Sequence, residues 1–378
     1  MNVLITGGAG FIGSHLAETL AGSHDVFIYD NFNKQVHGNR RMAFSKLPGR
    51  VSAIIGDVRD KRNFHSALKD KDCIIHLAAE TGTGQSMYKM KHYSDVNIGG
   101  TAILCDYVMN CPHNISKLVV ASSRAIYGEG RYHCRHCGPV CPENRSVSSV
   151  IRYGFDPVCP LCGSSKRLSF RKTEEKSAIH PSSIYGITKQ VQEQMVLMAA
   201  RLKGISAFAL RYQNVYGPGQ SLLNPYTGII SIFANMAQNN ATINIFEDGK
   251  ESRDFVYIDD AVAATVSCLE SPRTGQYALN VGSGSRTSVL KVARKIIACL
   301  HSKSKIAITG RFREGDIRHN CADLSSIGKL LGFRPTWAID DGLRRFLSWA
   351  KKQEVPSIRS RYDNSLHEAE TKGMFVEQ

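Results

Sequence analysis

The sequence predicts an α/β protein built on a doubly wound parallel sheet, with a smaller α+β region and an inserted cysteine-rich module. Short apolar runs alternate with helical patterns through the first half of the chain, and a glycine-rich turn follows the first run. Strands that alternate with helices are typical of parallel sheets covered on both faces. A stretch rich in Cys, Arg, Pro and Gly interrupts this alternation between residues 130 and 172.

Several apolar runs have the length of strands, and parallel strands buried on both faces are apolar throughout. These runs are Val3–Thr6, Val26–Tyr29, Val51–Ile55, Cys73–Leu77, Leu118–Ala121 and Ser206–Arg211. Helical patterns lie between them, among them Asn97–Met109 and Ser183–Leu202.

The chain divides accordingly into four predicted parts. Residues 1–129 and 173–212, with a return near 254–281, form the sheet domain, and residues 130–172 form the inserted module. Residues 213–253 and 282–350 form the smaller region. Residues 353–378 are polar and without clear periodicity, which predicts a disordered tail.

The composition is that of a globular protein, with 42% hydrophobic residues and a formal charge of +15. The positive charge favours an anionic partner. Basic residues form no run interleaved with aromatic residues, so we expect no nucleic acid partner. No apolar stretch reaches membrane-spanning length, and a strand at the very start leaves no room for a signal peptide. We therefore expect a cytoplasmic protein without membrane contact, in which the 11 cysteines are reduced or metal-bound.

The turn after the first strand carries Gly7, Gly10 and Gly13, with Phe11 and Ile12 between the last two. Gly7 permits a tight turn, Gly10 lets the backbone approach a pyrophosphate, and Gly13 lets the following helix pack closely on the strand. The helix N-terminus then presents free N–H groups to the phosphates. This pattern predicts a Rossmann-type dinucleotide site.

A carboxylate follows the glycines by about twenty residues, where such sites bind the adenosine ribose. It is Asp30, at the end of the second strand, and Asn31 follows it. A negative charge there repels the additional phosphate of NADP. The predicted cofactor is therefore NAD.

Tyr185 and Lys189 are one helical turn apart and share a helix face. An ammonium near a phenol lowers the pKa of the phenol, which makes a base able to take a proton from a sugar hydroxyl. Ser123 follows the fifth strand, at the edge of the sheet where open α/β sheets bind ligands. These three residues are the predicted catalytic group.

Together these motifs resemble the extended short-chain dehydrogenase/reductase family, in its nucleotide-sugar branch, over residues 1–350 apart from the insertion. The resemblance implies a nucleotide-diphosphate sugar as substrate and assigns residues 213–253 and 282–350 to its binding. It implies a homodimer that uses the helices around Asn97–Met109 and Ser183–Leu202. The further cofactor residues it implies are Asp57, Val58, Leu77, Ala78, Ala79 and Asn97. The substrate residues it implies are Thr83, Ser123, Arg124, Asn214, Arg253, Arg313 and Asp316.

The two positions after Ser123 discriminate between reactions within the family. Dehydratases of the family hold Asp and Glu at these positions, one as an acid and the other as a base. Decarboxylating relatives keep the Glu. Here the positions hold Arg124 and Ala125, which supply neither a carboxylic acid nor a carboxylate base. The resemblance therefore implies 4-epimerisation through a transient 4-keto sugar.

The identity of the sugar stays open at the level of sequence. The loop from Glu80 to Tyr88 is similar to that of dTDP-L-rhamnose 4-epimerases, which also tend to carry a cysteine-containing insertion. Conversion of dTDP-L-rhamnose to dTDP-6-deoxy-L-talose is therefore the first expectation. UDP-glucose and UDP-N-acetylhexosamine 4-epimerases are alternatives, followed by a reductase of a nucleotide 4-keto sugar and an NAD-sensing regulator.

The insertion carries two Cys-x-x-Cys pairs, Cys134 with Cys137 and Cys159 with Cys162. Each pair can present two thiolates to one ion, and together they suit a tetrahedral zinc ribbon. A segment of about 40 residues can scarcely bury a core of its own, so a metal is physically useful. Four thiolates leave no open coordination position, which predicts a structural zinc.

Overall fold

Seven parallel strands form the central sheet of the computed structural model, which describes residues 1–37, 51–226, 228–353 and 355–376. The strand order across the sheet is Gln276–Val281, Ser206–Tyr212, Lys117–Ser123, Cys73–His76, Asn2–Thr6, Asp25–Asp30 and Val51–Ile55. The chain starts in the middle and winds outwards in both directions. This order confirms the doubly wound parallel sheet, and it opens a crevice between Asn2–Thr6 and Cys73–His76, where the direction of winding reverses.

Helices cover both faces of the sheet. One core includes residues of Phe11–Leu20 and Ile258–Glu270, and the other includes residues of Lys61–Leu68, Gly100–Asn110 and Ile184–Lys203. The inner strands between these layers are almost fully buried, and Val3, Leu4 and Ile5 are 0% exposed, whereas the edge strand Val51–Ile55 is partly exposed. Burial on both faces explains why their sequences read as continuous apolar runs. Shorter helical elements are Lys34–His37, Thr83–Ser86, Met90–Tyr93, a π-helical turn Ser94–Gly99 and a 3₁₀ turn Arg124–Tyr127.

A smaller α+β region follows the sheet domain along the chain. Its strands pair in two small sheets, Asn214–Tyr216 with Ser252–Tyr257 and Arg286–Ser288, and Ile243–Ile245 with Ile306–Ile308. Its helices are Ile229–Gln238, Val289–Leu300, Ser325–Leu331 and Ile339–Lys351. In the described parts of the chain, no helix combines the length and the apolar character needed to cross a membrane.

The cysteine-rich insertion folds as a three-stranded antiparallel sheet with one short helix. The strands are Tyr132–Cys134, Gly138–Val140 and Leu168–Phe170, and the helix is Val147–Tyr153. Its buried cluster consists of Tyr132, Cys134, Val140 and Cys159. Two of these four are cysteines, so the module depends on its sulfur atoms for much of its interior.

The prediction that residues 353–378 form a disordered tail is wrong for the residues that the structure describes. Helix Arg359–Thr371 buries Ser365 and Ala369, and strand Phe375–Val376 pairs antiparallel with Phe312–Arg313. The buried Ile358, a hydrogen bond from Tyr226 to Glu368 and an ion pair between Arg311 and Glu370 attach the segment to the smaller region. Of this predicted tail, Glu354, Glu377 and Gln378 lie outside the described residues.

Candidate active site

A cleft with a volume of about 450 Å³ runs along the carboxyl edge of the central sheet. A second cavity of about 200 Å³ adjoins it and belongs mainly to the smaller region. Thr83, Arg124 and Asn214 line both, so the two cavities meet at these side chains. A ligand with two unlike ends can therefore lie across the junction.

The glycine turn forms one wall of the cleft. Gly7 has a φ of +67°, and a Cβ there would lie 2.8 Å from the backbone nitrogen of Ala78. A Cβ on Gly13 would lie 2.6 Å from the carbonyl oxygen of Gly7. Only glycine fits at either position, and the turn holds the N-terminus of helix Phe11–Leu20 against the cleft. Free N–H groups at that end suit a pyrophosphate.

Asp30 lies beside this turn, 7% exposed, at the end of its strand. Its Oδ2 accepts a hydrogen bond from the backbone N–H of Ala9 at 3.1 Å, and its Oδ1 accepts one from that of Phe32 at 2.8 Å. A carboxylate has further lone pairs beyond these two bonds. Asp30 can therefore accept the hydroxyl groups of a ribose in the cleft, as NAD requires.

Most of the predicted cofactor residues line the cleft, and two do not. Those that line it are Gly7, Gly10, Phe11, Ile12, Gly13, Asp30, Asn31, Val58, Leu77, Ala78, Ala79, Tyr185 and Lys189. Asp57 lies just outside and accepts hydrogen bonds from Arg59 and Asn31; the Arg59 guanidinium holds the pKa of Asp57 well below its usual range. Asn97 is fully buried and joins the backbone of Glu80 to Thr188. Asn97 supports the cleft from behind.

The predicted catalytic residues converge where the cleft meets the second cavity. Ser123 ends the strand Lys117–Ser123, and Tyr185 lies in the first turn of helix Ile184–Lys203, which Ser183 caps through the N–H of Gly186 at 3.1 Å. Tyr185 and Ser123 line the same cleft, and Arg124 lines it beside them. Burial raises the pKa of Tyr185, whereas Ser123 and the charge of Arg124 act to lower it.

Lys189 lies one helical turn after Tyr185 on the same helix. Its Nζ lies 6.0 Å from the centroid of the Tyr185 ring and donates a hydrogen bond to the carbonyl oxygen of Ala121 at 2.9 Å. Burial lowers the pKa of Lys189 to about 7. The charge of Arg124 also favours a Tyr185 phenolate.

The second cavity carries the other predicted substrate residues. Arg253, Arg313 and Asp316 line it, and Arg313 donates to Asp316 at 2.7 Å. The Oδ1 atom of Asn214 is buried without a hydrogen-bond partner among the described residues. Guanidinium groups and an unpartnered amide oxygen suit a ligand that carries phosphates and hydroxyls.

Sequence reasoning missed Glu251, which also lines the second cavity. Burial raises its pKa to about 7, and its Oε2 has no hydrogen-bond partner among the described residues. Its position two residues before Arg253, on the approach to a buried strand, is the signal that could have identified it.

A buried ion-pair network joins the insertion to the second cavity. Arg145 of the insertion is 2% exposed and pairs with Glu129 at 2.6 Å and with Glu247 at 2.9 Å. It also donates to the carbonyl oxygen of Asp316 at 2.9 Å. Arg318 shares Glu247 at 2.9 Å. The insertion thereby supports the loop that carries Arg313 and Asp316.

The four predicted metal ligands lie together. Ligand atoms of Cys134, Cys137, Cys159 and Cys162 all lie within 4.8 Å of one another. Backbone N–H groups of Cys137 and His136 lower the pKa of the Cys134 thiol to about 7. Four cysteines at such spacing match the donor set of a structural zinc site.

The comparisons with known proteins agree with this geometry. A family model described as NAD dependent epimerase/dehydratase family matches residues 3–145 and 159–282 and skips part of the insertion. The chain is 35% identical to the dTDP-L-rhamnose 4-epimerase of Burkholderia thailandensis, over 93% of this chain and 95% of that protein. It is 29% identical to a UDP-N-acetyl-alpha-D-glucosaminuronate decarboxylase of Bacillus cytotoxicus, over 93% and 98%.

Among solved structures, the UDP-glucose 4-epimerase of Thermotoga maritima with UDP-glucose aligns with a TM-score of 0.75 and 26% identity. That alignment covers 93% of this chain and 99% of the other. A UDP-glucuronic acid 4-epimerase from Bacillus cereus, in complex with UDP-glucuronic acid and NAD, aligns with a TM-score of 0.76 and 25% identity over 93% and 99%. With the cofactor cleft, the Ser123–Tyr185 pair and the family match in agreement, the chain belongs to the NAD-dependent epimerase/dehydratase family of enzymes, within the extended short-chain dehydrogenase/reductases.

Proposed function

We propose that this protein catalyses NAD-dependent 4-epimerisation of a nucleotide-diphosphate sugar, of the type that converts dTDP-L-rhamnose to dTDP-6-deoxy-L-talose. One observation carries the proposal. A tyrosine–serine pair lies at the junction of a dinucleotide cleft and a cationic cavity, and the residues beside it are Arg124 and Ala125. Those two side chains offer no acid or base for elimination.

In the proposed reaction, Tyr185 takes the proton from the 4-hydroxyl of the sugar, and Ser123 hydrogen-bonds to the same oxygen. The glycine turn and Asp30 would hold NAD in the cleft, where it would supply reversible hydride transfer between C4 of the sugar and the cofactor. The chain retains the keto sugar in the cleft while it turns over, and Tyr185 then returns the proton. Lys189 and Asp30 hold the cofactor ribose groups, and Asp57 and Asn97 support the cofactor loop.

The cationic cavity holds the nucleotide end of the substrate. Arg253 and Arg313 bind the diphosphate, Asn214 donates to it through its amide, and Asp316 fixes the orientation of Arg313. Arg124 and Thr83, which line both cavities, contact the sugar between them. The charge of +15 favours the approach of such an anion.

The deoxysugar is the first candidate because the Burkholderia thailandensis relative is a dTDP-L-rhamnose 4-epimerase. The loop from Glu80 to Tyr88 supports the same choice. UDP-glucose and UDP-N-acetylhexosamines are the alternatives, supported by the UDP-glucose complex of the Thermotoga maritima enzyme.

A panel of nucleotide sugars tests the proposal, with epimer ratios read by NMR. We expect dTDP-L-rhamnose to reach an equilibrium of two epimers without net formation of NADH. Tyr185→Phe should lower kcat by about a thousandfold. Stoichiometric consumption of reduced cofactor by a 4-keto sugar would instead identify a reductase, and binding of NAD without turnover of any sugar would identify a regulator.

We also propose that Cys134, Cys137, Cys159 and Cys162 hold a structural zinc ion. The module has a small buried interior, and the sulfur atoms of its four cysteines lie within 4.8 Å of one another. Both features support a bound zinc ion. Such an ion stabilises the fold of the insertion and takes no part in the chemistry.

We further propose that the protein is a homodimer and acts in the cytoplasm. Helix Ile184–Lys203 exposes Ile187, Met198 and Leu202, by 42%, 50% and 61%, and packs beside helix Gly100–Asn110. Exposed apolar side chains on one helix support an interface there. The eleven cysteines, none of them in a disulfide, fit a reducing compartment.

A further inference from the structure

We infer that the C-terminal segment, residues 355–376, forms the wall of the second cavity that contacts the nucleoside of the substrate. We infer further that Glu368 holds this wall in place. The inference rests on the proposed function, because it takes the ligand of that cavity to be a nucleoside diphosphate. It adds a binding element beyond the residues that the family motifs supply.

One face of helix Arg359–Thr371 points into the cavity. Tyr362, Ser365, Leu366 and Ala369 all line it, and they recur at the three- and four-residue spacing of a single helix face. The cavity therefore has no complete wall without this helix.

Two kinds of side chain share the lining of this cavity. Arg253 and Arg313 suit a diphosphate, and Phe246, Tyr362 and Leu366 supply aromatic and aliphatic surface to the same cavity. A nucleobase has flat apolar faces that pack on such side chains, whereas a diphosphate does not. This division of chemistry places the nucleoside against the helix.

Glu368 ties the helix to two other segments at the cavity. Its Oε2 accepts hydrogen bonds from the hydroxyl of Tyr226 at 2.9 Å and from that of Tyr88 at 3.2 Å. Tyr88 ends the loop from Glu80, and Tyr226 itself lines the cavity. Loss of this carboxylate removes the hydrogen bonds that join all three segments.

The end of the segment is attached independently. Strand Phe375–Val376 pairs with Phe312–Arg313, and the ring of Phe375 packs against Phe246 with ring centroids 5.3 Å apart. Arg311 forms an ion pair with Glu370 of the helix. The backbone of Arg313, whose side chain lines the cavity, is thus paired directly with the C-terminal strand.

Calorimetry with UDP and with dTDP tests the inference on the full-length protein. Glu368→Ala should raise the Kd of both nucleotides by about tenfold, since two hydrogen bonds to a charged group are lost. Glu368→Gln should bind better than Glu368→Ala because its amide oxygen still accepts from both tyrosines. Asp363→Ala is the matched control, because Asp363 forms an exposed ion pair with Arg359 on the same helix. It should bind as the wild type does.

Tyr362→Ala separates a nucleoside contact from a general structural effect. It should weaken UDP and dTDP but leave the affinity for inorganic pyrophosphate, measured by competition, at the wild-type level. The NAD content and the midpoint of thermal unfolding should match the wild type in every variant compared.

Three results would overturn the proposed role of the C-terminal segment in nucleoside binding. Unchanged nucleotide affinity in both Glu368→Ala and Tyr362→Ala, with the wild type binding, would overturn it and leave the proposed epimerase intact. Equal losses of pyrophosphate and nucleotide affinity would also overturn it, because the wall would then have no nucleoside role. A wild type that binds neither nucleotide would overturn the proposed function together with the inference.

Discussion

Tyr185 is half-buried beside Arg124, and this pair contributes to the electrostatics of the proposed chemistry. Burial favours the neutral phenol, whereas a neighbouring guanidinium that stays charged favours the phenolate. Although burial lowers the pKa of Arg124 to about 10, with Arg253 acting in the same direction, Arg124 remains cationic at neutral pH. At the position where dehydratases of the family carry an acid, this chain therefore has a fixed positive charge. In the proposed reaction, Arg124 lies near the oxygen of the sugar 4-hydroxyl.

His76 supports the cofactor loop as a buried neutral imidazole between Thr6 and Thr101. Burial lowers its pKa from 6.5 to about 3. In the pH range between those values the unfolded chain binds a proton that the folded chain does not. Its contribution to stability is therefore complete above pH 6.5 and is lost as the pH falls towards 3.

We predict that His76→Asn makes the free energy of unfolding less dependent on pH on the acid side. Well below pH 6.5 the slope should decrease by about 1.4 kcal/mol per pH unit, the value for one proton. Urea unfolding at a series of pH values measures it. His367→Asn is the control because His367 is 77% exposed. A variant with the wild-type slope would contradict this account of His76.

The insertion is coupled to the lining of the second cavity through Arg145. Its guanidinium lies between two buried carboxylates, Glu129 and Glu247. Removal of one partner from a buried ion-pair network leaves uncompensated charge, which costs more than the pair itself contributes.

We predict that Arg145→Met lowers the free energy of unfolding by about 3–5 kcal/mol. The same change should weaken nucleotide binding, because Arg145 also holds the carbonyl of Asp316. Denaturant unfolding and calorimetry measure the two effects. Arg152→Met is the control, since Arg152 is exposed on the helix of the same module. Equal stability of the two variants would show that the network does not join the insertion to the substrate region.

We predict that the cysteine cluster of the insertion holds one zinc ion. The purified protein should contain stoichiometric zinc, and Cys134→Ser should lose the metal and lower the midpoint of thermal unfolding. Elemental analysis and calorimetric melting measure these changes. Cys299→Ser should change neither, because Cys299 is exposed on a helix outside the module. Zinc retained in Cys134→Ser would contradict the proposed ligand set.

The elements differ in how far the sequence predicts them. The strands of the central sheet follow from their apolar runs, and the glycine turn follows from its spacing, because local sequence dictates both. The C-terminal helix was missed because its buried face holds Ser365 and Ala369, and long-range pairs such as Glu368 with Tyr88 hold it in place. The ion pairs of Arg145 join residues far apart in the chain, so no local pattern reveals them. The motif places Asp57 at the cofactor, which stays a prediction; in the structure its carboxylate accepts hydrogen bonds from Arg59 and Asn31.

At the scale of the whole molecule, the winding of the sheet determines where the chemistry lies. Asn2–Thr6 carries the glycine turn, Lys117–Ser123 ends at Ser123, and helix Ile184–Lys203 presents Tyr185 at the same edge. The smaller region supplies the cationic cavity beyond that edge. Sequence order alone could not show that the two cavities meet at Arg124 and Asn214, because this juxtaposition arises only when the domains fold together.

We predict that the protein is a dimer in solution and that Met198→Glu combined with Leu202→Glu makes it monomeric. These side chains are one turn apart on helix Ile184–Lys203, and buried charge at an apolar interface is unfavourable. Light scattering coupled to gel filtration gives the mass. Leu161→Glu, at a site 71% exposed in the insertion, should leave the dimer unchanged. A monomeric wild type would contradict the assignment of this helix pair.

In the proposed reaction a hydride leaves C4 of a nucleotide sugar and returns to it within one turnover. The most direct test is turnover of dTDP-L-rhamnose deuterated at C4, followed by NMR in ordinary water. We expect a C4 epimer that retains the deuterium at C4, without accumulation of reduced cofactor. Epimerisation in which solvent hydrogen replaces the label at C4 would contradict it.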